Sequence, residues 1–115
     1  MPNPQGFAAG DFLVFQIESG YGLMRVLAID ESGGDPVWHV RVYQDLFPEI
    51  DYAELAIASP ESLTAEIEHI ALTDRAFEST QVSRLGNAPL TVRDHWTNDS
   101  SEISDRSIRL LLGLR

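Results

Sequence analysis

Cysteine is absent from this chain of 115 residues, which removes disulfides, thiolate metal sites and cysteine nucleophiles together and suits a reducing compartment. Basic side chains are scarce. Eight of them face eighteen acidic ones, for a formal charge of −10 and a pI near 4.5. Such a balance repels phosphate backbones and anionic lipid surfaces, so neither nucleic acid nor a membrane is an expected partner. No apolar run approaches the roughly eighteen residues of a membrane span, and "MPNPQGFAAG" lacks the basic start and apolar core of a signal peptide. The default location is therefore cytoplasmic. The motifs of familiar chemistry are missing too. There is no G-x-S-x-G elbow, no H-E-x-x-H pair, no calcium loop and no phosphate loop. "ESGYGLM" contains G-x-G but lacks the helix and third glycine of a dinucleotide site, so it reads as a hairpin tip. No cofactor and no metal is expected.

What is present fits one domain. An apolar content of 43% is enough to bury roughly two-thirds of the unfolded chain's surface. Residues 1–9 carry two prolines and little periodicity and read as a loose leader, leaving 10–115 as a single globular domain.

Gly10-Asp11 opens "DFLVFQI", rich in aromatic and β-branched residues, which favours a strand over 11–17. Phe12 and Val14 point one way and Leu13, Phe15 and Ile17 the other, so the strand is covered on both sides. "ESGYG" makes a five-residue connection, "LMRVLAID" a second strand over 23–30, and "ESGGDP" the next turn. In "VWHVRVYQ" alternation turns Trp38, Val40 and Val42 inward and His39, Arg41 and Tyr43 outward, completing a three-strand meander at 37–44.

The middle is ambiguous by pattern. "PEIDYAELAIA", with proline and acids in front, suits a short helix over 48–58 better than an edge strand. In "TAEIEHIALT", Ile67, Ile70 and Ala71 fit a helical stripe, while Ala65, Ile67 and Ala71 fit alternation. A strand is preferred because Thr73-Asp74 looks like a helix start directly after it. "VSRLGNAP" reads as a brief strand, "LTVRDHW" as a short helix capped by Thr91. Ile103, Ser107, Ile108 and Leu111 fall near one helical face, with Gly113 as a C-terminal cap. The expected fold is α+β and β-rich: a small twisted antiparallel sheet or partly open barrel with one to three short helices.

Each of the three histidines can be tested as a general base. His39 alternates with core residues and is expected on the solvent face. In a helix, Glu66 would approach His69 by i,i+3 spacing and could tune a base. Asp94-His95-Trp96 offers a second carboxylate and imidazole. A more prominent feature is the group Asp45, Glu49, Asp51 and Glu54, with Phe47 and Tyr52 among them. Carboxylates beside an exposed ring can dock a cationic partner, the ring supplying affinity and the charges the on-rate. Asp45, Glu49, Asp51, Tyr52 and Glu54 are thus the candidate partner-binding residues; the alternative is a solvated helix face with Phe47 and Tyr52 in the core.

In order along the chain, Gly10-Asp11 before an apolar strand, Gly20-Tyr21-Gly22 leading to Val26, "HIALTDRAFES", and Leu85-Gly86-Asn87-Ala88-Pro89 resemble the immunity protein 26 family, found beside polymorphic toxins in bacteria. The likeness spans roughly residues 10 to 96. It departs at Val82, where many members carry tryptophan, and at the missing proline after the first strand. The resemblance implies a small cytoplasmic antidote that binds a toxin and catalyses nothing. Its partner would be a basic protein, such as a nuclease-type toxin. Two other classes stay open: an adaptor or sensor module, homodimeric in one version, that binds a peptide or small molecule, and a small enzyme using His69 or His95.

Overall fold

Large apolar side chains at nearly every position of residues 11–17 send apolar surface to both faces of a strand, and each face then needs its own cover. The computed structural model, which describes residues 6–18, 20–31, 34–90 and 103–106, supplies both. In chain order the elements are β1 (Asp11–Ile17), β2 (Gly20–Asp30), β3 (Val37–Tyr43), α1 (Ile50–Ile57), a 3₁₀ turn (Pro60–Ser62), β4 (Ala65–Thr73), α2 (Asp74–Ser79), β5 (Val82–Asn87) and β6 (Ile103–Ser104). The strands form one sheet in the order β5-β1-β2-β3-β4-β6, antiparallel at every junction except the parallel β4–β6 pair. The fold is α+β and strand-rich, and it opens with the β1–β3 meander. Of the two geometries expected, the open sheet is the one adopted, with β5 and β6 as its edges. Among the described residues, no helix is long and apolar enough to cross a membrane.

On one face, Leu13, Phe15 and Ile17 of β1 join Met24, Val26, Trp38, Val40, Val42 and Leu72. Ala76 and Phe77 of α2 close this layer. The Trp38 and Phe77 rings stack with centroids 3.9 Å apart and planes 2° from parallel, and the indole Nε1–H donates to Asp74 Oδ1 at 2.9 Å. Phe7 packs edge-on to both rings and is buried, so core packing begins inside the segment expected to be a leader. On the other face, Phe12, Val14, Leu23 and Tyr43 meet Ala53 of α1, with Ile57, Leu63, Leu85 and Ala88 around them.

Three local expectations change, and one open choice is decided. Pairing of β1 with β2 runs to Ile17↔Gly20, so Gly20, Tyr21 and Gly22 belong to the strand and not to the connection. His39, Arg41 and Tyr43 do face away from Trp38, Val40 and Val42, yet they are buried: His39 lies against His69 of β4, Tyr43 packs in the second core layer with Ala53 of α1, and Arg41 sits beside Glu68 of β4. The stretch 65–73 is the strand preferred over a helix, β4, so helical i,i+3 spacing does not bring Glu66 to His69. Ile103, expected on a helical face, is in β6 beside Ala71. The expected Thr91-capped helix, and Ser107, Ile108, Leu111 and Gly113, lie outside the described residues.

The short pieces at 10–11, 20–22 and 85–89 are joints. Gly10 N–H donates to Val26 O at 2.8 Å and Gly10 O accepts from Ala88 N–H at 3.2 Å. Its φ is +93°, and a Cβ there would sit 2.5 Å from Ala88 O, so only glycine fits. Asp11, beside it, is fully buried and accepts from Ala8 N–H at 2.8 Å and Asn87 Nδ2–H at 2.7 Å. Gly22 lies opposite Phe15, whose ring occupies the space a Cβ would take.

Candidate functional site

Helix α1 is short, and its amphipathicity decides what the surface offers. Ala53 is buried and Ile57 packs beside it on the sheet. Glu49 stands at the N-cap in extended conformation, and Asp51 lies in the first turn. Both put negative charge at the positive end of the helix dipole. No basic residue occupies the last turn.

The segment ahead of α1 is fastened from two sides. Tyr21 and Phe47 exchange backbone hydrogen bonds, Tyr21 N–H to Phe47 O at 2.7 Å and Phe47 N–H to Tyr21 O at 2.9 Å. Asp45 Oδ2 accepts from Thr64 N–H at 2.8 Å, and Gln44 N–H donates to Thr64 O at 2.8 Å. Phe47 is half-buried against the second core layer, so the ring next to the acids is a strut.

Glu49, Asp51, Tyr52 and Glu54 are all exposed on α1 or at its start. Asp45 stands apart: it is half-buried and serves the loop clasp. Three side chains not singled out from the sequence share the exposed surface, namely Leu46, Ile50 and Leu55, the last 73% exposed. A helical projection anchored on Ala53 and Ile57, which face the sheet, would have placed Leu55 off the buried stripe. The exposed face of α1 and the residues leading into it is therefore apolar and acidic at once.

The histidines arrange themselves differently. His39 is only 4% exposed, a correction to its expected solvent position. Its Nδ1 lies 2.8 Å from His69 Nε2, and the two rings are 10° from parallel. Burial pushes the His39 pKa down, opposed by Asp30. Burial also lowers His69, helped by the neighbouring His39 and Arg41. This pair bridges β3 and β4. His95 lies outside the described residues. Among the described residues, no group of three or more His, Asp or Glu side chains could hold a metal ion.

Comparison with protein-family models, curated proteins and solved structures gives no significant match to this chain.

Proposed function

We propose that this protein is a non-catalytic binding domain that docks a basic protein partner through α1, and that the partner is a bacterial toxin which it neutralises. One observation carries the docking part. Of the six large apolar side chains left exposed among the described residues, Leu46, Ile50, Tyr52 and Leu55 fall together on and before α1, interleaved with Glu49, Asp51 and Glu54. Between Arg41 and Arg75 the chain carries no lysine or arginine, so nothing on this stretch offsets the acids. An apolar centre rimmed by one sign of charge is how interfaces combine affinity with steering. Self-association through the same face would set carboxylate against carboxylate, which favours a cationic partner over a second copy. The resemblance to the immunity protein 26 family supplies the toxin.

Neutralisation would be occlusion. Leu55 and Tyr52 would fill apolar recesses beside the toxin's cleft while Glu49, Asp51 and Glu54 face its lysines and arginines. The direct test is co-expression with the product of the gene immediately upstream. Rescue of growth together with co-purification is the expected result. A harmless neighbour, or one that does not co-purify, overturns the reading.

A further inference from the structure

We propose that the open edge of β5 pairs antiparallel with β5 of a second copy, making one continuous sheet across a symmetric dimer. The inference goes beyond the reading of α1 and needs neither its acidic face nor a toxin.

Backbone direction carries it. Tyr21 spends both its N–H and its C=O on Phe47, away from β1. Its partner Gln16 therefore turns its own groups away from β2, and by alternation so do Val14 and Phe12. These two face β5, where Ser83 lies opposite Val14 and Gly86 opposite Phe12. Ser83 and Gly86 thus bond inward, which leaves Val82 and Arg84 with N–H and C=O pointing out of the sheet. Among the described residues β1 is the only strand that pairs with β5, and no proline interrupts Val82–Asn87. A row of outward donors and acceptors is a template for another strand.

The opposite edge of the sheet is guarded. β4 runs from Ala65 to Thr73, and β6 covers it only at Ala71 and Leu72. The remainder carries Glu66 and Glu68, both exposed, so two such edges would set carboxylates against each other. β5 has no such guard. Ser79 to Arg93 is the longest run of the chain without an acidic residue, although the whole carries −10. Arg84, half exposed, has its Nε 3.9 Å from the buried Asp11 carboxylate, so the strip is close to neutral. An acidic protein meets its own copy at least electrostatic cost along this seam. A cationic partner would find a guanidinium here and no exposed carboxylate, which selects the second copy. Apolar surface flanks the strand: Val82 and Leu85 are half-buried, and Leu90 just beyond it is 37% exposed.

Symmetry sets the register. With the twofold axis at Ser83, each Val82 faces Arg84 of the other copy and the two exchange both backbone hydrogen bonds. That register also keeps Arg84 from facing Arg84. The two Ser83 side chains, exposed in the single chain, then stand directly opposite each other.

Sedimentation and amide exchange of the protein alone test the seam, in about 0.3 M salt to screen the repulsion between two acidic chains. With rising concentration the mass should climb from 12.8 kDa to twice that and stop. The Val82 and Arg84 amides should slow in step, and by more than those of Ser83 and Gly86, which are bonded to β1 in either state. Ser83→Lys and Ser83→Glu each put like charges across the axis and should weaken the dimer roughly two- to fivefold. An equimolar mixture of these two variants should restore it. Arg84→Pro deletes an outward N–H that β1 does not use and should abolish pairing; the Ser83 variants, altered at an exposed side chain, decide the matter even if that chain fails to fold. A mass that stays at 12.8 kDa, one that grows past the dimer, or a dimer indifferent to both Ser83 variants overturns the proposal.

Discussion

Asp11 concentrates much of the architecture in a single carboxylate. It has no solvent exposure, and it joins the turn before β1 to the end of β5 through Ala8 N–H and Asn87 Nδ2–H, with Arg84 Nε 3.9 Å away. Asp11→Ala leaves both donors without their acceptor and should cost about 2–3 kcal/mol in urea unfolding. Gly10→Ala, with its positive φ and the Ala88 oxygen in the way, should be comparably damaging, while Gly34→Ala should cost less because a Cβ there meets nothing within 4 Å. The histidine pair makes a pH prediction. Burial lowers both folded pKa values from the ordinary value of about 6.5, so between the folded values and 6.5 the unfolded chain holds more protons. Stability then rises with pH across that window: it is full above about 6.5 and is lost as pH falls through the folded values. Melting temperature should drop from pH 7 to pH 5, before most carboxylates titrate, and the double variant His39→Gln/His69→Gln should flatten that slope; an unchanged slope would clear the pair. At this scale the sequence is a partial guide. Alternation assigned His39 the correct side of β3, but whether that side meets water depends on partners distant in sequence, His69 of β4 among them, which no local pattern encodes.

Among the elements, α2 shows how one side chain serves two purposes. Thr73 Oγ1 accepts from Ala76 N–H at 3.1 Å as the N-cap and donates to Asp105 Oδ1 at 2.7 Å. Arg75 also donates to Asp105, and its hydrogen bond, followed by that of Thr73, holds the Asp105 carboxyl below the usual range. The tail of β6 is thereby tied to the start of α2. Thr73→Ala should cost about 1 kcal/mol for the lost cap and speed amide exchange in β6; unaltered exchange at Ile103 and Ser104 would show that β6 is held by pairing with β4 alone. The cap was legible because Thr-Asp before a short amphipathic turn is a local signal, and the same holds for the proline and acids that open α1. β6 was not. Its two residues pair in parallel with Ala71 and Leu72, and Ile103 fits a helical spacing with residues further on by coincidence of register. The choice of strand for β4 succeeded because Thr73 had to begin a helix, leaving the ambiguous stretch before it extended.

For the whole molecule, charge is the property most legible from composition and least legible as to place. Net acidity predicts attraction to cations at range, and clustering located Glu49, Asp51 and Glu54 on what proves to be exposed surface. The apolar half of that surface escaped notice because Leu46, Ile50 and Leu55 could equally have been core. The paired arginines escaped it entirely: Arg25 and Arg41 are distant in sequence and meet only through the β2–β3 register. An acidic exterior and two buried arginines thus coexist in one small sheet. Glu49→Lys/Asp51→Lys/Glu54→Lys should abolish partner capture while shifting the urea unfolding midpoint little, since all three side chains are exposed. The most direct test of the docking claim is the association rate with the upstream gene's product, followed from roughly 0.05 to 0.5 M salt, a range over which the screening length shrinks severalfold. The on-rate of the native protein should fall by about tenfold or more, and binding should be lost in Leu55→Arg. An on-rate insensitive to salt, with Leu55→Arg binding as tightly as the native chain, would contradict it.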